Sequence, residues 1–310
     1  MNLPFYNEMD VSNAIQMQEG IDLMRDAFIA LSDGTAIVPN RINLPLEDRN
    51  ALNLSMPAYI KRGIYNTIKL VNINFDNPEK GLPLINGIIV VMDSIKGNPT
   101  ALIDGKSVTS LRTGASSGLA TDLLSNKDSK CAFIFGTGAQ AKTQIDGIRC
   151  VRKLEEIFVI GRSQKKAENF CNEYGNKIQP GQIQDLKNAD IICTATTSEE
   201  PLFHIKDIKP GVHINAVGAH RPNTREIDTS VILKSKVYID ELSSSKLEAG
   251  DLIIPISEGN YNWDKIEGEL GALIDKKIRG REHEIEITLF NSIGNAVQDL
   301  VIASRIVEKS

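Results

Sequence analysis

Two glycines in one short stretch have the spacing that binds a dinucleotide. An apolar run, Cys131–Phe135, leads directly into Gly136-Thr137-Gly138-Ala139-Gln140-Ala141, and a helix-compatible segment follows. In a strand–turn–helix context the first glycine permits a tight turn, the second lets the backbone approach a pyrophosphate, and the alanine allows close packing of helix on strand. The helix N-terminus offers N–H groups to the phosphates. We therefore predict coenzyme contacts from Gly136, Gly138, Ala139 and Gln140; the alternative is an ordinary turn that happens to contain glycines.

The end of the next predicted strand bears on which nicotinamide coenzyme is bound. NAD-type sites carry a carboxylate there for the ribose hydroxyls, whereas residues 157–160 are followed here by Gly161, Arg162 and Ser163. A planar guanidinium and a hydroxyl suit a 2′-phosphate. The sequence therefore predicts NADP(H) as the preferred coenzyme, with NAD(H) as the alternative if Arg162 only stacks on the adenine.

Lys69 is a candidate for chemistry because of where it lies. It interrupts the apolar strand pattern Ile68-Lys69-Leu70-Val71, in which an unpaired ammonium group is costly to bury. A lysine whose pKa is tuned by burial can manage a proton at an imine. The alternative is a lysine on an exposed edge strand. Asp76 is a polar neighbour in sequence that would tune Lys69.

Composition narrows the class of protein. The chain has 310 residues, 41% of them hydrophobic and 24% charged, and a net charge of −5. This charge argues against nucleic acid as a partner, and no apolar run reaches the roughly 20 residues that span a bilayer. The N-terminus lacks a basic signal region, so we expect a cytoplasmic location. The four cysteines have no zinc-ligand spacing, and we predict no metal.

The elements that position these residues fall into two patterns. Up to residue 113 we predict one helix over residues 11–31, then strands at residues 52–56, 64–73, 88–93 and 99–104, which favours an antiparallel or mixed sheet. From residue 114 to 289 helices and strands alternate, which predicts a parallel sheet. Residues 284–307 have helical spacing. We predict an α/β fold: a Rossmann-type doubly wound sheet (114–289) and a discontinuous α+β substrate and dimerisation domain (1–113 with 290–310).

Several blocks in order resemble the ornithine cyclodeaminase/mu-crystallin family over nearly the whole chain. The most distinctive is Leu111-Arg112-Thr113-Gly114-Ala115, and the glycine fingerprint above is another. The remaining blocks are Met56-Pro57-Ala58-Tyr59, Lys69-Leu70-Val71, Gly81-Leu82-Pro83, Ala101-Leu102-Ile103-Asp104-Gly105, Asn215-Ala216-Val217-Gly218-Ala219 and Ser292-Ile293-Gly294. The resemblance implies a homodimer in which the first domain binds an amino or imino acid and the second binds a nicotinamide coenzyme.

The resemblance also assigns site residues. Arg41 matches an arginine that binds the substrate carboxylate, Lys69 an active-site lysine, and Arg112 an arginine between substrate and nicotinamide. A carboxylate is well held by a guanidinium, although Arg41 alone would also suit a solvated turn. Further contacts are implied for Ile293 to the substrate, and to the coenzyme for Arg112, Thr113, Thr196, Val217 and Ser292.

Two departures from the family pattern bear on the reaction. His220 stands where cyclodeaminases and related alanine dehydrogenases carry an aspartate that acts on the substrate amine, and Leu84 replaces a threonine that contacts the coenzyme. His220 is predicted either to handle a proton at the imine nitrogen or to line the nicotinamide pocket without proton chemistry. The continuation Arg221-Pro222 resembles the ketimine and pyrroline-carboxylate reductases of the family.

The function expected from these features is NADPH-preferring reduction of a small cyclic imino acid, such as pyrroline-2-carboxylate or piperideine-2-carboxylate, to proline or pipecolate. Arg41 and Arg112 would hold the carboxylate, and Lys69 would complete the pocket. One alternative is an ornithine cyclodeaminase or an alanine-dehydrogenase-like enzyme. Another, of a different class, is a protein that binds NADPH without catalysis.

Overall fold

The computed structural model describes residues 2–175 and 177–310, without the side chain of Pro78. The chain divides into two compact units, one reaching Arg112 and completed by Asn295–Ser310, the other Thr113–Gly294. The sequence placed these boundaries after residues 113 and 289. The second boundary lies later because residues 287–291 form a strand of the parallel sheet.

The first unit begins with short elements and continues as a sheet of long strands. Its strands are β1 (Phe5–Tyr6), β2 (Ala36–Ile37), β3 (Ile42–Leu46), β4 (Ala51–Ile60), β5 (Tyr65–Asn74), β6 (Ile85–Asp93) and β7 (Pro99–Asp104). They pair in the order β1-β7-β6-β5-β4-β2, with β3 also on β4; β1 is parallel to β7 and the other pairs are antiparallel. The mixed sheet expected from the sequence is therefore present, and β5, which carries Lys69, lies inside it.

One predicted helix of the first unit is two helices. Residues 11–31 were expected to be continuous, but α1 (Glu8–Ala14) and α2 (Met17–Ser32) are separated at Ile15. Asn7 caps α1 by accepting hydrogen bonds from the N–H groups of Met9 and Asp10. Ile15 has an extended backbone and is buried. The helical spacing of apolar residues therefore continues across a point where the helix itself is interrupted. Helix α3 (Gly105–Leu124) follows β7 and contains the boundary between the units.

The second unit contains a wholly parallel sheet. Its strands are β8 (Cys131–Phe135), β9 (Glu156–Ile160), β10 (Ile178–Pro180), β11 (Ile191–Thr194), β12 (His213–Ala216), β13 (Ser235–Ile239), β14 (Gly268–Glu269) and β15 (Ile287–Asn291). Its helices after α3 are α4 (Ala139–Val151), α5 (Gln164–Tyr174), α6 (Thr229–Ile232), α7 (Leu242–Glu248), α8 (Gly250–Ser257) and α9 (Leu270–Ile274). The strand order is β10-β9-β8-β11-β12-β15-β13-β14.

The parallel sheet is covered on both faces. Phe133 and Phe135 of β8 pack in one apolar cluster, while Ala132 and Ile134 of the same strand pack in another. Alternating side chains point to opposite faces of a strand, so each face has its own core. This arrangement confirms the predicted doubly wound Rossmann-type sheet, and the strand order reverses between β8 and β11.

The predicted helix over residues 284–307 is wrong in its first half. Residues 287–291 form β15, between β12 and β13, and the last helix, α10 (Ala296–Glu308), begins after Asn295. A buried apolar run cannot be assigned to helix or strand by its spacing alone. The side chain of Asn295 accepts a hydrogen bond from the N–H of Val297 and so fixes the start of α10. In the first unit, α10 packs with α2 on the alternating buried residues of β4. Within the described chain no helix is both long and apolar enough to span a membrane.

Candidate functional site

A cavity of about 470 Å³ lies in the second unit where the strand order reverses. Segments that follow β8, β9 and β11 form its walls. They contribute Gly136–Gly138, Gly161, Arg162 and Lys166, and Ala195–Ser198. Ligands of open parallel sheets bind at the carboxyl ends of the strands, at this topological switch point. The cavity therefore has the position expected of a dinucleotide site, beside the segment for which the sequence predicts one.

Gly136 and Gly138 each require a glycine for a different structural reason. Gly136 has φ of +119°, and a Cβ on it would lie 2.4 Å from the Ala195 carbonyl oxygen. Gly138 has ordinary extended backbone at the N-cap of α4, and a Cβ on it would meet no atom of the described protein within 4 Å. The space beside Gly138 is therefore left open rather than filled by protein, which fits a pyrophosphate. Ala139 and Gln140 form the first turn of α4.

Arg162 and Ser163 lie at the tip of β9, as the sequence predicts. Arg162 is exposed and its Nη2 donates to Thr197 Oγ1 at 3.5 Å, so the guanidinium lies beside the segment after β11. Ser163 caps α5, and its hydroxyl accepts from the N–H of Lys166 at 3.4 Å. Arg162 and Lys166 line the cavity and make this edge of it basic.

Of the remaining residues predicted to contact the coenzyme, Arg112 ends the first segment of the first unit, and the others lie in several places of the second unit. Thr196 lines the cavity, and Val217 donates from its N–H to the Thr194 carbonyl at 3.0 Å. The Thr113 carbonyl accepts from Gln144 Nε2 at 3.4 Å. Ser292 is buried, and its hydroxyl donates to Asp240. Ile293, predicted to contact substrate, packs in the apolar core of this unit, and that role stays a prediction.

A buried ion pair occupies the first unit. Lys69 Nζ lies 2.7 Å from Asp299 Oδ2, and the two side chains are 3% and 1% exposed. Lys69 also donates to Thr109 Oγ1 at 3.3 Å. Because β5 is an interior strand, Lys69 is not the edge-strand lysine that was the alternative.

Two arginines belong to the same charged group. Arg112, on α3, is 7% exposed; its Nη1 donates to Gln298 Oε1 at 3.0 Å, and its Nε lies 3.7 Å from Asp299 Oδ1. Arg41 is half-buried just before β3, near enough to act on the charge of Lys69. Arg41, Lys69 and Arg112 bring three positive charges against the one negative charge of Asp299. We call these four residues the cationic cluster.

The pKa of Lys69 is lowered from 10.5 to about 8. Burial is the largest cause, since it penalises the charged ammonium form. Asp299 opposes this effect, and the charges of Arg112 and Arg41 add to it. Lys69 therefore changes protonation near neutral pH, as a group that manages protons in catalysis requires.

Sequence reasoning missed Asp299. The sequence feature that could have identified it is a polar pair, Gln298-Asp299, near the start of a helix. The positions on either side of the pair, Val297 and Leu300, are buried apolar residues. A carboxylate in such a position needs a buried cation, and Lys69 was the available candidate. Asp76, which was expected to tune Lys69, instead accepts a hydrogen bond from Asn50 Nδ2 at 2.6 Å.

His220 is exposed in the segment after β12. Its Nδ1 lies 3.0 Å from the Gly218 carbonyl oxygen. A carbonyl only accepts, so Nδ1 carries the hydrogen and the neutral ring has its acceptor nitrogen at Nε2. The geometry is compatible with both predicted roles. Among residues 2–175 and 177–310, no group of His, Cys, Asp and Glu has the arrangement of a metal site.

Known proteins are similar in sequence to this chain over most of its length. The model of the ornithine cyclodeaminase/mu-crystallin family matches residues 4–310. A Bacillus cereus protein named delta(1)-pyrroline-2-carboxylate reductase is 34% identical over 305 residues, which are 96% of this chain and 94% of that protein.

Two solved structures extend the comparison. Thermococcus litoralis delta(1)-pyrroline-2-carboxylate reductase, in complex with NADH and L-proline, has a TM-score of 0.94 and 35% identity, covering 99% of this chain and 97% of that chain. An archaeal alanine dehydrogenase dimer with bound NAD has a TM-score of 0.92 and 30% identity, covering 99% and 96%. The family and fold predicted from the sequence are confirmed.

Proposed function

The chain belongs to the ornithine cyclodeaminase/mu-crystallin family, and on that premise we propose that it is a nicotinamide-dependent reductase of a small cyclic imino acid. The substrates are pyrroline-2-carboxylate or piperideine-2-carboxylate, and the products proline or pipecolate. Relatives named for the first of these reactions span nearly the full chain. The reaction reduces a C=N bond that stands next to a carboxylate.

One observation carries the substrate class: two guanidinium groups, those of Arg41 and Arg112, lie in one cluster with the buried ion pair of Lys69 and Asp299. Cationic side chains grouped in this way favour an anionic ligand. Guanidinium groups bind a carboxylate through paired hydrogen bonds. We assign Arg41 and Arg112 to the substrate carboxylate and Lys69, held by Asp299, to the imine side of the ligand.

The chemistry divides between the coenzyme and the protein. When bound, the reduced nicotinamide supplies a hydride to the imine carbon. The glycine turn at Gly136 and Gly138 and the N-terminus of α4 hold the pyrophosphate. Lys69 in its ammonium form orients the imine and offsets the negative charge of the substrate carboxylate. His220, directly or through water, delivers the proton that the imine nitrogen gains. These roles account for every protein group that the reaction needs.

We further propose a preference for NADPH over NADH. Arg162, Ser163 and Lys166 occupy the tip of β9 and the start of α5, where an NAD-type site would hold a carboxylate. The three side chains match the charge and hydrogen-bonding demand of a 2′-phosphate. The two solved relatives described above contain NADH and NAD, so the proposed preference rests on this chain's own residues alone.

Two further expectations accompany the proposal. The enzyme works as a homodimer, in line with the archaeal alanine dehydrogenase dimer, and it is located in the cytoplasm. Size-exclusion chromatography with light scattering measures the first, and fractionation of the source cells measures the second.

The competing reaction is oxidative deamination of an amino acid, favoured by the 30% identity to alanine dehydrogenase over nearly the full chain. An ornithine cyclodeaminase is a third reaction type within the family. It regenerates its coenzyme internally, whereas a reductase consumes one reduced coenzyme per product.

A panel assay separates these reactions. NADPH and NADH oxidation is measured with the two cyclic imines and with pyruvate plus ammonia or methylamine, and ornithine is tested for proline and ammonia. We expect stoichiometric coenzyme oxidation with a cyclic imine. Ornithine conversion without imine reduction would reject the proposal, and tight NADPH binding with no turnover would identify a non-catalytic binding protein.

A further inference from the structure

Glu226 is a buried carboxylate that accepts hydrogen bonds from two segments of the second unit. Its side chain has 0% exposure. Oε1 accepts from the Thr196 N–H at 2.7 Å and the Thr196 hydroxyl at 2.6 Å. Oε2 accepts from the Thr194 hydroxyl at 2.7 Å and the Gly218 N–H at 2.8 Å. One side chain thus joins the segment that follows β11 to the segment that follows β12.

Both segments are relevant to coenzyme binding. Residues 195–198, after β11, form one wall of the dinucleotide cavity. The Ala195 carbonyl is also the group that a Cβ on Gly136 would approach to 2.4 Å, so this segment lies directly against the glycine turn. The segment after β12 contains Val217 and His220. The position of Thr196 therefore determines the shape of the cavity beside the fingerprint.

A second buried carboxylate fixes the backbone of Glu226. Asp251 Oδ1 accepts from the N–H groups of Glu226 and Ile227 at 2.7 and 2.9 Å, and Oδ2 accepts from Asn291 Nδ2 at 2.9 Å. Asn291 ends β15, the strand beside β12. Glu226 is consequently held at its main chain and at both carboxylate oxygens. A side chain can fix the position of a loop only if several hydrogen bonds hold that side chain itself in place.

We propose that Glu226 is a positioning residue for coenzyme binding, which sets the 195–198 wall of the cavity and its distance from the segment after β12. This inference deepens the proposed function and rests on its coenzyme site. It requires a carboxylate rather than any polar group. The two backbone N–H donors lie on different oxygens, and an amide offers only one acceptor oxygen. Glutamine, in either orientation, would therefore direct its NH₂ group at one of the two backbone N–H groups.

Glu226→Gln tests the proposal in the full-length protein. We expect NADPH binding, measured by coenzyme fluorescence, to weaken about 10-fold or more, and one of the amides of Thr196 and Gly218 to exchange hydrogen faster. The KM for coenzyme should rise while the KM for the imine stays close to that of the wild type.

Thr194→Val is the matched control. It removes one hydroxyl donor from Glu226 Oε2 but leaves the backbone donors on both oxygens. We expect its thermal stability to fall and its coenzyme affinity to stay within about 2-fold of the wild type. Gly218→Ala is the second perturbation, because its Cβ would lie 2.4 Å from the Thr196 carbonyl oxygen and 2.5 Å from the Glu226 carboxyl carbon. It displaces the same contact between the two segments and should reproduce the coenzyme defect of Glu226→Gln.

The outcomes separate this inference from the proposed function. If the wild type binds neither NADPH nor NADH, both fail. If the wild type binds coenzyme and Glu226→Gln binds it equally well, only this inference fails. It also fails if Glu226→Gln and Thr194→Val both lose affinity in proportion to their loss of stability, since that result describes a purely structural residue.

Discussion

Lys69 and Asp299 form a direct ion pair, with Nζ and Oδ2 2.7 Å apart, although they are far apart in the sequence. Lys69 comes from the middle of an interior strand and Asp299 from the first turn of the last helix. The pair explains why the C-terminal helix belongs to the first unit in function as well as in packing. It supplies the counter-charge that keeps a buried lysine partly protonated near neutral pH.

Asp299→Asn should impair catalysis through Lys69. Without the carboxylate the pKa of Lys69 falls below its present value of about 8, because Asp299 is the group that opposes burial. The ammonium form of Lys69 is the form that we assign to substrate binding. As the pH is raised, the variant should therefore lose activity at a lower pH than the wild type does. We expect kcat/KM for the imine at pH 7 to fall about 2- to 10-fold for a pKa displacement of about one to two units, because the ammonium fraction at pH 7 falls from about 0.9 to between about 0.5 and 0.1. The pH profile of kcat/KM measures the displacement.

Thr109→Val is the control for Asp299→Asn. It removes the neutral hydrogen-bond partner of Lys69, 3.3 Å away, and keeps the ion pair. The alkaline limb of its kcat/KM profile should move less than the alkaline limb of the Asp299→Asn profile. Equal displacement in both variants would show that the charge of Asp299 has no special role.

Folding stability should depend on pH through the same lysine. The ordinary pKa of a lysine is 10.5, whereas Lys69 in the folded protein has a pKa of about 8. Between these values the unfolded chain holds the proton and the folded chain has released it, so raising the pH favours the folded state. The Lys69 contribution to the free energy of unfolding should rise by roughly 3 kcal/mol from pH 8 to pH 10.5.

A neutral pair isolates that contribution. Lys69→Met combined with Asp299→Asn removes both charges, while the other titrating groups of the protein remain. Urea unfolding from pH 7 to pH 10 should therefore show a steeper rise with pH for the wild type than for the double variant. Parallel curves would mean that Lys69 has an ordinary pKa in the folded protein.

The sequence predicted the parallel sheet better than the charged cluster, for a physical reason. Strands such as Cys131–Phe135 and Glu156–Ile160 are apolar runs with polar or glycine boundaries, so their limits are local properties of the chain. The partner of Lys69 is not a local property. Asp299 interrupts a helical apolar stripe, and only the packing of α10 on the first sheet brings it to β5.

Gly136→Ala and Gly138→Ala should separate folding from coenzyme binding. Gly136→Ala forces a φ of +119° on alanine and a contact of 2.4 Å with the Ala195 carbonyl, so stability falls by about 1–3 kcal/mol. Gly138→Ala meets no protein atom within 4 Å, but its methyl group enters the space assigned to the pyrophosphate. Thermal melts with and without NADPH measure both effects. Gly138→Ala should melt like the wild type alone and lose most of the coenzyme-induced shift.

Arg162→Ala should reverse the coenzyme preference. Removing a guanidinium from a 2′-phosphate removes charge-assisted hydrogen bonds, so the KM for NADPH should rise about 10- to 100-fold while that for NADH changes little. Lys165→Ala is the matched control, since Lys165 is an exposed cation close to Arg162 in sequence but is not among the residues that line the cavity. If Arg162→Ala weakens both coenzymes equally, Arg162 stacks on the adenine instead.

His220→Asn and His220→Ala should distinguish proton transfer from loop support. The amide of asparagine can keep a hydrogen bond like that from Nδ1 to the Gly218 carbonyl, 3.0 Å long in the present protein, but it has no counterpart of Nε2. If His220 delivers the proton, both variants lose about 10²-fold or more in kcat, the usual contribution of a general acid. The alkaline limb that a general acid produces, because it must be protonated to act, then disappears from the kcat profile. If His220 only supports its segment, His220→Asn retains activity that His220→Ala loses, because the asparagine amide keeps a hydrogen bond to the Gly218 carbonyl.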